Sequence, residues 1–258
     1  MLKTNERQYH INACAGEIGK YCLLPGDPGR CERIAAYLDG AYHLTSNREY
    51  NIWCGYLDGE LVTVCSTGIG GPSTAIAVEE LTACGADTFI RIGTCGGISL
   101  DARAGDVIIA SGAVRQDGTS REYAPIEFPA VASADLLFAL SAEAKALALP
   151  SRVGVVQSKD SFYGQHSPAR MPTAPELIEK WNAWKALGVL ASEMEAATLF
   201  TVAASLGVSA GAVFSCVWNQ ERFNAGLDTH DSECHDTDRA IRVAIGALRR
   251  IIGENKQA

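Results

Sequence analysis

The fold is decided by the stretch TFIRIGTCGG at residues 88–97, in which an apolar, β-branched strand leads into a glycine-rich turn. Arg91 stands inside this strand, and its guanidinium cannot shed its charge, so burial demands an anion or a carboxylate beside it. The glycines allow backbone N–H groups to point into one concavity, and Thr94 adds a hydroxyl. The stretch predicts an anion site, with a structural ion pair to Arg91 as the alternative.

A second glycine turn, GDPGR at residues 26–30, follows a short apolar strand and opens a helix. Asp27 suits the N-cap and Pro28 the first helical position. The N-terminus of a helix attracts anions, whereas an arginine in its first turn opposes the helix dipole. Arg30 is therefore a candidate ligand for the same anion, and a solvent-facing arginine is the alternative.

Strands and helices alternate along the chain, without a repeat or a linker. Besides the strand that carries Arg91, we predict strands over 21–25, 51–56, 61–65, 105–114, 152–158, 189–191 and 209–218. Predicted helices cover 31–38, 74–84, 133–148, 176–187, 192–206 and 236–252. This order is typical of one α/β domain.

Composition limits the class of partner. The 258 residues are 47% hydrophobic and carry a formal net charge of −8, so we expect a globular protein that binds neither nucleic acid nor an anionic membrane surface. The nine cysteines form no C-x-x-C pair, and the N-terminus is polar, which predicts reduced thiols, no signal peptide and a cytoplasmic location. The uncharged segment 196–220 contains Gly207 and Gly211, so it predicts a buried helix, a turn and a buried strand instead of a membrane span.

Five motifs in fixed order resemble those of the nucleoside phosphorylase family, which contains uridine phosphorylase and hexameric purine nucleoside phosphorylase. They are PGDPGR (25–30), STGIGGPST (66–74), RIGTCGG (91–97), DSFYGQ (160–165) and SEMEAATL (192–199). The stretches CSTGIGGPSTAIAVEEL (65–81) and EFPAVA (127–132) are similar to the uridine phosphorylase branch. The resemblance implies a single domain over residues 1–258, with a central mixed, partly barrel-like β-sheet flanked by helices.

The resemblance also implies where phosphate and ribose bind. The phosphate site falls on Gly26, Arg30, Arg91 and Thr94, with Arg48 reaching in from a neighbouring subunit. The ribose contacts fall on Glu193, Met194 and Glu195, with His10 donated across the subunit interface. Ser192 and Glu195 also have the spacing of a capping box, in which Glu195 would only satisfy the backbone of Ser192.

The base pocket departs from the family pattern. The usual arginine two residues after the glutamine is missing, because Gln165 is followed by His166, Ser167 and Pro168. We expect His166, together with Lys159, to supply the missing donor, and ordinary surface residues are the alternative. By resemblance, Phe162 stacks on the base, Gln165 contacts its amide edge and Arg222 reaches it through a water. Asn219 stands where purine-specific members have a protonating aspartate, which favours a pyrimidine.

The resemblance implies a pentosyltransferase of pyrimidine salvage that converts uridine and phosphate reversibly to uracil and ribose 1-phosphate. Arg91, Glu195 and His166 are the expected catalytic residues, and the arginine set favours phosphate over water as the nucleophile. No cofactor is required by the chemistry, phosphate is the co-substrate, and a monovalent cation site, for K⁺, falls on Glu49, Ile69 and Ser73 between subunits. The implied assembly is a hexamer built from dimers with shared active sites.

Three other functions are alternatives to this one. The first is a purine nucleoside phosphorylase with an unusual base pocket. The second is a nucleoside-binding protein that keeps the fold without turnover. The third, a dinucleotide-binding Rossmann protein, lacks the G-x-G-x-x-G motif after the first strand.

Overall fold

Ten strands in residues 6–256, the part of the chain that the computed structural model describes, form one mixed sheet. They are β1 (Tyr21–Pro25), β2 (Asp39–Asn47), β3 (Tyr50–Leu57), β4 (Glu60–Cys65), β5 (Thr88–Gly97), β6 (Val107–Gln116), β7 (Ala130–Val131), β8 (Ser151–Lys159), β9 (Ala191–Glu193) and β10 (Ser209–Asn219). The order is β10-β6-β8-β9-β5-β1-β4-β3-β2, and β7 pairs with β6. Because β10 also pairs with β5, five strands (β5, β9, β8, β6 and β10) close into a barrel.

Nine α-helices of the described chain surround this sheet. They are α1 (Arg30–Ala35), α2 (Gly71–Ala83), α3 (Thr119–Tyr123), α4 (Ala134–Ala146), α5 (Phe162–His166), α6 (Ala174–Ala186), α7 (Ala196–Leu206), α8 (Gln220–Asn224) and α9 (Asp238–Asn255). Short 3₁₀ turns lie at Pro168–Arg170 and His230–Ser232. α2 packs against α7 within one hydrophobic core, and α4 packs against α9 within a second.

The central strand β5 explains why this part of the sequence reads as an almost continuous apolar run. It pairs in parallel with both β1 and β10, and helices cover the sheet, so its side chains are buried on both faces. Ala212 of β10 is the register partner of Arg91. The single α/β domain with a partly barrel-like sheet is thereby confirmed, while its extent over residues 1–258 includes termini outside the described residues.

The structure corrects several local predictions. The helix predicted over 192–206 begins only at Ala196, because Ala191–Glu193 pair with β5 and β8 as strand β9. α1 begins at Arg30 with Gly29 as N-cap, because the Asp27 carboxylate accepts the Gly29 N–H at 2.9 Å and forms a turn before the helix. The prediction of a cap at Asp27 was therefore wrong. The polar loop after β8 contains the short helix α5, whose start is fixed by Ser161 Oγ accepting the Gly164 N–H at 3.0 Å.

The uncharged segment 196–220 forms α7, a left-handed turn at Gly207 (φ 70°) and the buried strand β10. Within residues 6–256, no helix is both long and apolar enough to cross a membrane. The first five residues, on which the expectation about a signal peptide partly rests, lie outside the described residues.

Candidate active site

A cavity of about 870 Å³ opens where β1, β5, β8, β9 and β10 end. The strand ends deliver residues that are far apart in the sequence to one place. β1, β5 and β10 run parallel, and β9, antiparallel to β5 and parallel to β8, contributes from the other direction. Of the predicted site residues, twelve line the cavity: Gly26, Arg30, Ile69, Arg91, Thr94, Lys159, Phe162, Gln165, His166, Glu193, Met194 and Glu195.

Two arginines converge at one end of this cavity. Arg30 Nη1 donates to the Ile92 carbonyl at 3.3 Å, and Arg91 Nη1 is buried without a hydrogen-bond partner among the described residues. Burial lowers the pKa of Arg30, and the nearby charge of Arg91 lowers it further, whereas Asp27 raises it. Arg30 makes no ion pair among the described residues and Arg91 keeps one unpartnered nitrogen, so this part of the cavity offers N–H donors that an anion could accept.

Close packing holds the Arg91 guanidinium. Its carbon lies 5.5 Å from the centroid of the Phe214 ring. A Cβ at Gly93 would lie 2.7 Å from that ring and 3.0 Å from Arg91 Nη2, so only glycine fits here. The sequence pattern at residues 88–97 thus contains a glycine that makes room for the arginine, as well as glycines that shape the turn.

The alternative predicted for Arg91, a structural ion pair, is present in the structure. Nε donates to Glu193 Oε2 at 3.1 Å, and Nη2 donates to the Glu195 carboxylate, so an internal ion-pair network exists. Because these acids leave Nη1 without a partner, the guanidinium still presents one donor for an anion.

Glu193 and Glu195 have different surroundings. Glu193 accepts the N–H groups of Glu195 at 2.9 Å and Ala196 at 3.0 Å, and it accepts the Ser158 hydroxyl. Glu195 accepts the Gly70 N–H at 2.6 Å, so it does not cap Ser192 and the capping-box alternative is wrong. Burial raises the pKa of Glu195, and Arg91 opposes that shift.

Polar and aromatic side chains also line the cavity. The Phe162 and His166 rings lie 4.3 Å apart between centroids. Lys159 Nζ donates to Ser192 Oγ at 2.6 Å, and that oxygen lies 2.6 Å from Gln165 Oε1. Burial lowers the pKa of Lys159 to about 8, and burial together with the charge of Lys159 lowers the pKa of His166.

His10 and Arg48 do not line this cavity of their own chain. His10 Nδ1 lies 2.7 Å from Glu80 Oε1, and Glu80 also accepts the Ile11 N–H at 2.8 Å. Arg48 is exposed and lies 5.7 Å from the centroid of the Tyr9 ring. Their sequence-based roles require a neighbouring copy and stay predictions.

Arg222 and Asn219 are held away from the cavity. Arg222 donates twice to Asp228 at 2.9 Å and once to the Leu100 carbonyl at 2.7 Å, and it is not a lining residue. Asn219 is fully buried and donates to the carbonyls of Ser99 and Ala102, both at 2.7 Å. The structure therefore does not bring either residue to a base.

The three residues of the predicted cation site lie together around Gly68. Ser73 Oγ donates to the Ile69 carbonyl at 3.3 Å. A Cβ at Gly68 would meet Glu49 Cγ at 2.9 Å and Ser73 Oγ at 3.5 Å. The carboxylate, carbonyl and hydroxyl are the oxygen ligands that a hard monovalent cation uses.

Sequence reasoning missed several lining residues, among them Cys95, Val217, Trp218, Glu233 and His235. Trp218 could have been predicted as a lining residue, since it lies next to the last residue of strand β10, which pairs with β5. Glu233 and His235, whose side chains lie 2.9 Å apart, belong to an irregular segment without a periodic signal.

Comparisons with known proteins agree with this geometry. The family model described as the phosphorylase superfamily matches residues 20–252. A uridine phosphorylase of Treponema pallidum is 49% identical over 99% of this chain and 98% of its own length, and one of Escherichia coli is 42% identical over 89% and 91%. A guanosine phosphorylase of Halorubrum lacusprofundi is 38% identical over 94% and 98%. The similarity extends along nearly the whole chain, and the cavity contains two arginines. This chain therefore belongs to the phosphorylase superfamily.

Proposed function

We propose that the protein is a uridine phosphorylase, a pentosyltransferase that converts uridine and phosphate reversibly to uracil and ribose 1-phosphate. The observation that carries the proposal is the convergence of Arg30 and Arg91 in a cavity that also holds Glu195 and Gln165. The naming of several full-length relatives as uridine phosphorylases supports the choice of nucleoside.

The phosphate would occupy the arginine end of the cavity. Arg30 and the unpartnered Nη1 of Arg91 would face its charge, with the Thr94 hydroxyl and the backbone at Gly26 completing the site. Arg48 of a neighbouring copy would add a third cation. A phosphate dianion placed there could attack the sugar carbon that bears the base, because the carboxylates that would hold the sugar lie beside Arg91.

The ribose would lie over Glu195 and Met194. Glu195 has fewer protein partners than Glu193, so its carboxylate is the better acceptor for the vicinal sugar hydroxyls. Glu193 would act mainly by fixing Arg91 and the start of α7. His10 of a neighbouring copy would close the site from outside.

The uracil ring would bind between Phe162 and the strand ends. Ser192 can donate to Gln165 Oε1, which leaves the Gln165 amide nitrogen to face the base. His166 is neutral near pH 7 because its pKa is lowered, so it would donate one N–H to a base oxygen without adding charge. These contacts would take the place of the family's arginine.

The assembly and the environment are part of the same proposal. Shared active sites in a hexamer built from dimers would explain why His10 and Arg48 lie outside their own cavity. A K⁺ ion at Glu49, Ile69 and Ser73 would order the loop that carries Gly70, which donates to Glu195. All nine cysteines are unpaired thiols, which supports a cytoplasmic location.

Initial rates over a nucleoside panel test the proposal. We expect uridine to be cleaved in phosphate buffer faster than inosine, guanosine or adenosine, and no cleavage when phosphate is omitted. Exclusive cleavage of the purine nucleosides would identify a purine nucleoside phosphorylase instead. Binding of uridine without any cleavage would identify a nucleoside-binding protein.

A further inference from the structure

The proposed reaction places a charge at the base end of the cavity. The bond from the sugar carbon C1′ to N1 of uracil breaks while a phosphate oxygen bonds to C1′. The bonding electron pair leaves with the base, so negative charge spreads from N1 to the two carbonyl oxygens, and the released uracil later takes a proton from water. A cation beside those oxygens would lower the barrier, because it is favoured only as the charge develops. This inference rests on the proposed function.

Few cations of the described chain can fill that role. Arg30 and Arg91 line the cavity too, but they are the residues assigned to the phosphate, and Arg91 is paired with Glu193 and Glu195. Arg222 is committed to Asp228 and does not line the cavity. Burial lowers the pKa of His166, so its imidazole is neutral near pH 7. His235, which also lines the cavity, is exposed and pairs with Glu233. Lys159 remains.

The ammonium of Lys159 has the right surroundings. The side chain is only 6% exposed, and Nζ lies 5.9 Å from the centroid of the Phe162 ring. One of its three N–H groups donates to Ser192 Oγ, and within residues 6–256 no carboxylate forms an ion pair with it. A buried ammonium with donors left over is poised for a negatively charged ligand.

Lys159 also lies in the partition between two cavities. A second cavity of about 680 Å³ shares Lys159, Gln165 and His166 with the first, and Trp181 and Trp184 of α6 line its far side. The partition is the loop from which the family's arginine is missing. Lys159, the last residue of β8, stands at the start of this loop and lines both cavities beside Gln165.

The contact through Ser192 links Lys159 to the glutamine. Ser192 Oγ accepts from Lys159 and has one proton to give, either to Gln157 Oε1 at 2.5 Å or to Gln165 Oε1 at 2.6 Å. The charge on Lys159 makes that proton a stronger donor. The base-reading amide is thus oriented by the same ammonium.

We propose that Lys159 is a catalytic residue that donates from Nζ to a carbonyl oxygen of the departing uracil and stabilises its negative charge. Lysine at this position thereby replaces the missing arginine as the source of charge, and His166 and Gln165 supply neutral hydrogen bonds.

The leaving group provides the first test. The fluorine of 5-fluorouridine withdraws electrons and stabilises the departing anion, so this substrate depends less on a cation in the enzyme. At pH 6.5, where the ammonium and N3 of both nucleosides keep their protons, we expect Lys159→Met to lower kcat/KM for uridine about 100-fold. The loss for 5-fluorouridine should be several-fold smaller, and KM for phosphate should not change. The matched control is Lys145→Met on α4, which is exposed and lines neither cavity.

The outcomes separate this inference from the proposed function. Equal losses on both nucleosides would overturn the role of Lys159 while leaving uridine phosphorolysis intact. A wild-type protein that cleaves neither nucleoside would overturn the proposed function and the inference with it. Should Lys159→Met fail to fold, the pH dependence described next decides.

The pH dependence is a second, independent test. Burial lowers the pKa of Lys159 to about 8, against the opposing charges of Glu193, Glu195 and Cys95, and His166 also faces it. Loss of the proton removes the cation, so kcat for uridine should fall as the pH rises through this value. Lys159→Arg should move the fall to higher pH, while ionisation of uridine affects both proteins alike. The same alkaline limb in both proteins would contradict the proposal.

Discussion

Arg91→Ala is expected to lower kcat/KM for phosphate by about 1000-fold, because it removes the donor that would face the dianion in a desolvated site. The same change leaves Glu193 and Glu195 buried without their cation. Breaking a buried ion pair from one side typically destabilises by about 3–5 kcal/mol. Urea unfolding and phosphate saturation kinetics measure the two effects separately.

Arg30→Ala is the matched control for this prediction. Arg30 is half-buried and makes one long bond to a carbonyl, so its loss should weaken phosphate use with little change in unfolding free energy. Retention of phosphate kcat/KM within a few-fold in Arg91→Ala would reject the phosphate assignment. If Arg91→Ala were destabilised but fully active, the role of Arg91 would be limited to its structural ion pairs with Glu193 and Glu195.

Glu195→Gln should reduce the affinity for uridine by about 10- to 100-fold, because hydrogen bonds to a charged acceptor contribute about that much to binding. The carboxylate would accept from the vicinal sugar hydroxyls, and an amide of the same shape accepts more weakly. Binding of uridine and of 2′,3′-dideoxyuridine, measured by calorimetry, checks the cause. The wild type should prefer uridine, and the variant should lose most of that preference.

Glu127→Gln, at an exposed position, is the control: it removes one negative charge and should leave the preference for uridine unchanged. An unchanged preference in Glu195→Gln would remove the ribose role from Glu195. The carboxylate would then act only through Gly70 and Arg91, which it contacts directly.

Strand and helix order could be predicted from the sequence because hydrophobic periodicity is a local property. Arg91 was recognisable for a related reason: a cation within a β-branched run contradicts its surroundings unless something compensates it. The closure of five strands into a barrel was not predictable from local patterns, because the pairing of β10 with β5 joins residues far apart in the chain. Only the resemblance to a family supplied that feature.

The candidate site shows the same division. Arg91, inside β5, had a signal of its own in the sequence, whereas Glu193 was assigned by the resemblance and Lys159 because the family's arginine is missing. Arg222 is kept out of the cavity by Asp228, six residues later, whose carboxylate accepts two hydrogen bonds from the guanidinium. No sequence pattern distinguishes an arginine that is paired in this way from an unpaired one. The same holds for Glu193, whose carboxylate is engaged by backbone N–H groups of the helix start.

The assembly of distant cations around one inorganic anion is tested most directly by ³¹P NMR of the protein mixed with uridine and phosphate. We expect the phosphate signal to decrease as that of a sugar phosphate ester appears, with one uracil released for each ester formed. Release of uracil with free ribose and an unchanged phosphate signal would contradict the account, since water would then be the nucleophile.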